Sequence, residues 1–450
     1  FLILVLSASL LLQAFTPYVK NFNYVSILAF AIILPVLSMA LTTLNDHHPD
    51  ESVHARAAAY YENHWLMPAV DSPEIADTFS RYGFSRLNTT EICYFLTGKF
   101  TRLLDNFHLP AYQCYRLFNV LLLAVLVLLT FRSLTARLLF IPLLMTPQAW
   151  YLFSYYNSDA FALFIAFLAA YQVTGDESLF NRFLAGRENI WKAVLLLGPL
   201  AAALLLTKKN FYFFVVFVIL YIGSKFVFKQ YQSSLSVVKK IIIIICAGAT
   251  LLGVRYGADI SVNGLNKGEK IQQLREQRAD YMYKPSTELH KKHPYLHLRA
   301  RGIGFKKYLE KYRWAGKTVR SFYGVYGYMT VSGTTAYYDL MRITGFLFLG
   351  FIALTILVRG GWWENTMLVN AAGCGIALIG IACYRSWVND LQAQGRYILV
   401  VLPILGILIA HTRHLLQPLI MRSFVVFMFV LSLHNYIFVG LFNLAKYGWG

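Results

Sequence analysis

The stretch HHPDESVHARAAAYYENHW begins at His47 and places two adjacent carboxylates, Asp50 and Glu51, directly after an apolar run. A carboxylate at a water–lipid boundary is partly desolvated, which raises its basicity. Such a group can take a proton from a hydroxyl nucleophile. A second reading needs no chemistry: Pro49 followed by two acids suits the first turn of a helix and its dipole. The residues alone leave both readings open. The nearby His47, His48 and His54 match no established metal-ligand spacing such as HExxH.

Further along, Asp159 lies in NSDAF at the mouth of an apolar run, where it suits a helix N-cap or a substrate contact. Lys208 and Lys209 fall in a short break between two apolar runs. Paired cations there must snorkel to headgroups or meet an anion such as a lipid phosphate. Arg396 opens a run in QAQGRYILVVLP. Its guanidinium fork suits phosphate, Gly395 lets the backbone come close to a partner, and Gln394 and Tyr397 could hydrogen-bond a sugar or a phosphate. The plain alternative is an interfacial Arg–Tyr anchor. The block RSFYGVYGYM, from Arg320 through Tyr323, interleaves aromatics with glycines, and aromatic faces stack on a pyranose.

The elements that must position these residues follow from composition. The 450 residues are 57% hydrophobic, with a mean hydropathy of +0.51, which excludes an ordinary soluble domain. Continuous apolar runs of about 16–22 residues match the length a helix needs to cross hydrocarbon. In lipid the backbone must satisfy its own polar groups, so these runs are helices; a barrel would show alternation instead. The net charge of +19 sits mostly in loops and suits an anionic lipid surface or substrate. No nucleic-acid-binding module is present. The five cysteines include no CxxC, and only Cys93 and Cys114 could both lie outside the membrane and pair. The chain starts at Phe1 inside an apolar run, which reads as a truncated span or a signal-anchor remnant.

Spans are expected near 1–16, 24–44, 113–131, 137–153, 159–174, 191–206, 210–228, 240–256, 339–358, 366–384, 396–411 and 421–443. This is an all-α polytopic membrane protein of about 11–12 transmembrane helices. Three parts follow: an N-terminal transmembrane module over 1–256 with its first outer loop at 45–112, an extracytoplasmic basic loop over 257–338, and C-terminal transmembrane helices over 339–450. Within the first loop, SVHARAAAYYENHW and RLNTTEICYFLTGKFTRLL read as amphipathic surface helices. Lys and Arg favour cytoplasmic short loops. Arg132, Arg187, Lys229, Arg359 and Arg413 mark five such loops on one side. Asp50, Asp159, Lys208 and Arg396 then converge on the other, outer side.

Taken together these blocks resemble the GT-C glycosyltransferase superfamily, whose members use polyprenyl-phosphate sugars. More narrowly, HHPDESVHARAAAY, YYNSDAFALF, SFYGVYGY and QGRYILVVLP resemble the blocks of a bacterial family of multi-span membrane proteins. There they read PDE-x-x-H, an ND pair, SFWG-x-FGW and QGRY. Tyr stands here where Trp is usual, which bears on sugar preference.

The resemblance implies a GT-C-like fold in the inner membrane with its site facing the exterior. It implies Asp50 as general base, with Glu51 orienting the acceptor or holding that base. It implies Asp159 on acceptor or sugar, and Lys208 or Lys209 with Arg396 on the departing phosphate. His54, Arg320, Tyr323, Gln394 and Tyr397 complete the expected substrate contacts. The implied partners are a polyprenyl-phosphate sugar donor, a glycan, lipid or protein acceptor, and the bilayer. No cofactor is required, because one base and several cations suffice for a phosphate leaving group; a divalent ion on the carboxylates is the disfavoured variant. A transporter or flippase, and a non-catalytic envelope subunit, are the rival readings. Transport would place ionisable residues mid-span, whereas here they gather near span ends.

Overall fold

A computed structural model describes residues 2–15, 21–231 and 234–446. Phe1, where the truncated-span reading begins, lies outside the described residues, as do the end of the first expected span at 16 and the chain end at 447–450. The described chain is helical almost throughout, and an apolar helix falls on each of the twelve expected spans. Among the described residues nine helices are long and apolar enough to cross a membrane; Val5–Phe15, Leu134–Leu144 and Ile190–Leu205 are shorter apolar ones.

The helices in chain order are α1 (Leu2–Phe15), α2 (Asn23–Ala31), α3 (Ile33–Thr42), α4 (Glu51–Asn63), α5 (Cys93–Leu103), α6 (Ala111–Arg132) and α7 (Leu134–Leu144). They continue as α8 (Pro147–Ser154), α9 (Ser158–Thr174), α10 (Leu179–Leu184), α11 (Ile190–Leu205), α12 (Tyr212–Val227) and α13 (Ser234–Asn263). The long loop after α13 carries α14 (Lys267–Arg278), α15 (Phe305–Tyr312) and α16 (Trp314–Phe322). The last set is α17 (Thr335–Arg359), α18 (Trp362–Val388), α19 (Val401–Thr412), α20 (Pro418–His434) and α21 (Phe442–Lys446). A hairpin of β1 (Val325–Tyr326) and β2 (Val331–Ser332) pairs antiparallel with Val325 opposite Ser332.

Two expected spans are broken, each beside a proline. Pro35 has no N–H to donate to Ala31, and α2 ends at that residue. Pro147 disfavours helical backbone at Thr146 (φ −129°, ψ 87°), so the 137–153 run divides into α7 and α8. Both halves are buried in the bundle rather than facing lipid.

The two long polar segments form one cap rather than two separate loops. Asn263, at the end of α13, accepts from the Val70 N–H at 2.8 Å and donates to the Pro68 carbonyl. The Asp280 N–H donates to the Arg81 carbonyl at 3.0 Å, and Leu296 bridges to Asp390. Of the two expected surface helices, α4 turns Glu51, His54, Ala57, Ala58 and Tyr61 inward, one face at helical spacing. The second begins at Cys93; Arg86–Asn88 is a separate short turn. Cys93 and Cys114 are both buried and free.

Candidate active site

The site is built where four chain segments meet above the bundle. Asp50 sits at the start of α4 with left-handed backbone (φ 61°) and makes no side-chain cap. Its carboxylate instead accepts from Arg396, Nη2 to Oδ2 at 3.0 Å, across 346 residues of sequence. Asp50 remains 45% exposed at its side chain while Arg396 is 9% exposed, so solvent reaches the pair from the acid side.

Glu51 is fully buried and takes Arg116 in a two-point ion pair, Nε to Oε1 at 2.7 Å and Nη2 to Oε2 at 2.6 Å. The Tyr156 N–H donates to the same Oε1 at 3.0 Å. Arg116 in turn donates to the carbonyls of Ala40, Thr43 and Leu44. Both oxygens of Glu51 are therefore committed. It anchors the start of α4, directly after Asp50, to α3, α6 and the Tyr156 turn.

Asp159 is buried and pairs with Lys208 at 2.7 Å. The N-cap of α9 is Asn157, whose side chain accepts from the Ala160 N–H. Asp159, one of the residues that suited the cap, lies in the first turn and is left for the cation. Lys208 turns inward and Lys209 is exposed to the surroundings, so the Lys pair divides between the site and the surface. The Asn210 amide reaches the Tyr397 carbonyl at 3.3 Å and ties the Lys turn to the QGRY segment.

The two ion pairs are neighbours. Lys208 acts electrostatically on Asp50, and Arg396 is within electrostatic reach of both Asp159 and Asp50. Burial pushes the Asp50 carboxyl up, but Arg396, with Arg86 and Lys208 behind it, holds it below the usual carboxylate range. Desolvation alone would strengthen this base, as expected at a water–lipid boundary; the paired cation reverses the sign. His54 is held far below its ordinary value by burial first and then by Arg86, Lys208 and Arg396, so its ring is neutral. Its Nδ1 meets the Tyr94 hydroxyl at 2.8 Å.

The buried polar atoms around this centre that lack a partner among the described residues include His54 Nε2, Glu91 Oε2, Asp159 Oδ1 and Arg396 Nε. Buried polar groups are almost always hydrogen-bonded, so a cluster of exceptions marks a place where water or a ligand completes the network. Arg86 and Glu91 were not singled out in the sequence. They belong to RLNTTEICYF, which read as an amphipathic surface segment, and only the packing of that segment beside α4 brings them in.

Other expected contacts have different duties. Gly395 does permit a close approach, but its partner is protein: a Cβ there would stand 2.2 Å from the Phe322 backbone N. Gln394 donates to Gln392, which also accepts from the Tyr397 hydroxyl, and Gln392 donates to Asp390. This polar chain borders Arg396, whose cation lies 5.4 Å from the Tyr397 ring centre. Arg320 is exposed and stacks over Tyr338 at 4.8 Å. In the aromatic block, Tyr326 is fully buried with its hydroxyl on Asn435, and Gly324 (φ +103°) makes the turn before it. That block is mainly core rather than a sugar platform. The histidines also separate: His48 is held by Thr43 and Tyr151 and stacks on Tyr155 at 4.9 Å. Among the described residues no three His, Cys, Asp or Glu side chains converge in a metal-holding group.

Tyr323 lines an apolar cavity of about 420 Å³ between α16, α17, α18, α19 and α20. Ile398, two residues beyond Arg396, and Phe322, against Gly395, also line it, so part of its wall lies next to the QGRY segment. Asp50, Lys208 and Arg396 line neither this cavity nor the second large one at the opposite end of the bundle.

No curated protein and no solved structure matches the chain. One family does match, described as predicted membrane protein (DUF2142), over residues 90–405. That stretch contains Asp159, Lys208, Arg320 and Arg396, while Asp50, Glu51 and His54 precede it. With well over half of its length matched, the chain belongs to the DUF2142 family of predicted membrane proteins.

Proposed function

We propose that the protein is a GT-C-type glycosyltransferase that moves a sugar from a polyprenyl-phosphate donor to a glycan, lipid or protein acceptor at the extracytoplasmic face of the inner membrane. The observation that carries this reading is the contact of Asp50 with Arg396 beside the Asp159–Lys208 pair. Two carboxylates and two cations from four distant segments stand together, near an apolar cavity suited to an isoprenoid chain. Acids and cations gathered at one end of the bundle favour transfer over transport.

The donor phosphate takes Arg396 from Asp50, with Lys208 and Arg86 adding positive charge around it. Asp50, released from its cation, gains basicity and accepts the proton of the acceptor hydroxyl. The acceptor oxygen forms its bond to the anomeric carbon as the bond from that carbon to the phosphate oxygen breaks. The electron pair leaves on the phosphate, where the fixed cations stabilise it. Attack opposite the leaving group inverts the anomeric centre. Three cations supply the charge stabilisation, so the reading calls on no metal.

The test is sugar transfer by purified protein in nanodiscs with candidate polyprenyl-phosphate sugars. Asp50→Asn should lower transfer by about 10²-fold or more with unchanged thermal stability; full transfer by that variant removes Asp50 from the base role. The pH dependence has a defined sign. In the free enzyme Asp50 is held low, so the acid limb of kcat/KM falls below the usual carboxylate range. In the substrate complex Arg396 is occupied, so the limb of kcat should lie higher than that of kcat/KM. Coincident limbs would show that the donor does not displace the cation.

A further inference from the structure

We infer that the protein carries a second site, at the end of the bundle opposite Asp50 and Arg396, that binds a phosphate group. Three helices fix the geometry. Asp159 lies in the first turn of α9 and Asp176 follows its other end. Lys208 stands before α12 and Lys225 sits in its last turn. Arg396 precedes α19, and His411 and Arg413 stand at its far end. Helices of this length separate their two ends by about 20 Å, so the two sites are distinct.

The second site is a cavity of about 950 Å³, at the large end for a small-molecule pocket. Arg187, Lys225, Lys240 and Arg413 line it against one lining carboxylate, Asp176. Arg187 is satisfied elsewhere by Glu177 at 3.4 Å, and the lining His414 by Glu364 at 3.6 Å. Lys225 and Lys240 donate to backbone carbonyls, those of Val173 at 3.1 Å and Leu184 at 2.9 Å, and lie over the rings of Tyr221 at 5.0 Å and Phe183 at 5.7 Å. No ion pair of Lys225, Lys240 or Arg413 occurs among the described residues. His411 also lines the cavity, and its buried Nε2 has no hydrogen-bond partner among the described residues.

Loop cations at this end are expected of any multi-span protein and are ordinarily met by headgroups. Here they enclose a cavity, with a buried imidazole nitrogen left open. Multiple ammonium and guanidinium donors around one space suit the oxygens of a phosphate. The rings of Tyr221 and Trp363 pack on His411 at 5.9 and 4.8 Å and give the same cavity an apolar wall. The ligand is thus a phosphate borne on a larger body, either a soluble phosphate ester or an anionic lipid headgroup.

The test uses the full-length protein in nanodiscs of neutral lipid, titrated with pyrophosphate by calorimetry. Saturable binding is expected, weakened at least about tenfold by Lys240→Gln and by Arg413→Gln. Arg413 is exposed, so its replacement leaves the fold intact. Arg396→Gln, which removes the phosphate-holding cation of the transfer centre, should keep this pyrophosphate binding, which separates the two sites. Nanodiscs containing phosphatidylglycerol that abolish pyrophosphate binding would identify a lipid headgroup as the occupant; unchanged binding would identify a soluble phosphate ester. No saturable binding in neutral lipid, or binding indifferent to both substitutions, overturns the inference.

Discussion

At the scale of single residues, two neighbouring acids divide into a held group and a holding one. Asp50 keeps one oxygen toward a cation and part of its surface in solvent, whereas Glu51 is sealed against Arg116. Breaking a buried ion pair strands the remaining charge and typically costs about 3–5 kcal/mol. Glu51→Gln should therefore lower the midpoint of thermal unfolding in detergent markedly, while Asp50→Asn leaves it near the wild-type value. Equal midpoints for the two variants would contradict this division. The sequence could name both acids but not divide them. Their difference is set by Arg116, 65 residues away from Glu51, and by the left-handed backbone at Asp50. The same limit explains Asp159, which pairs with Lys208 while Asn157 caps the helix. Several residues of NSDAF can cap, and spacing does not choose among them.

At the scale of elements, the short blocks act by interlocking. QGRY packs its glycine on the backbone of SFYG. SFYGVYG donates the Gly327 N–H to the Tyr151 hydroxyl, which also meets His48 of HHPDE. Each block therefore fixes the next, and Asp50 and Arg396 arrive together as a consequence. Gly395→Ala should be more damaging than an ordinary glycine change, because its Cβ would stand 2.2 Å from one backbone atom and 2.4 Å from the next. The expected outcome is a large loss of folded protein on expression and purification. If the variant folds, Arg396 is displaced and transfer falls although every charged residue remains. Wild-type yield and transfer together would show that the junction yields without consequence. The apolar runs made the helices legible, since their length and continuity are local properties. The junctions were not legible, since a glycine that admits a backbone looks the same in sequence as one that admits a ligand.

At the scale of the whole molecule, charge divides the bundle into two unlike ends. One end pairs its cations with carboxylates from other segments; the other leaves Lys225, Lys240 and Arg413 around a cavity. This asymmetry was readable early, because positively charged short loops alternate with apolar runs. What it could not convey is that the two long polar segments fold into a single cap, a matter of contacts such as Asn263 with Val70. If the basic end is cytoplasmic, the exposed Lys209 and Arg413 stand on opposite sides of the membrane. The natural Cys246 is itself exposed on α13, so it must first be replaced by serine. In that background Lys209→Cys should react with a membrane-impermeant maleimide added to cells whose inner membrane is externally accessible. Arg413→Cys should react only after the membrane is opened. The reverse pattern would put Asp50 in the cytoplasm, where an activated nucleotide sugar is the commoner donor, and would remove the reason for a lipid-linked one. Labelling of both from outside would break the alternation of spans on which the division of the molecule rests.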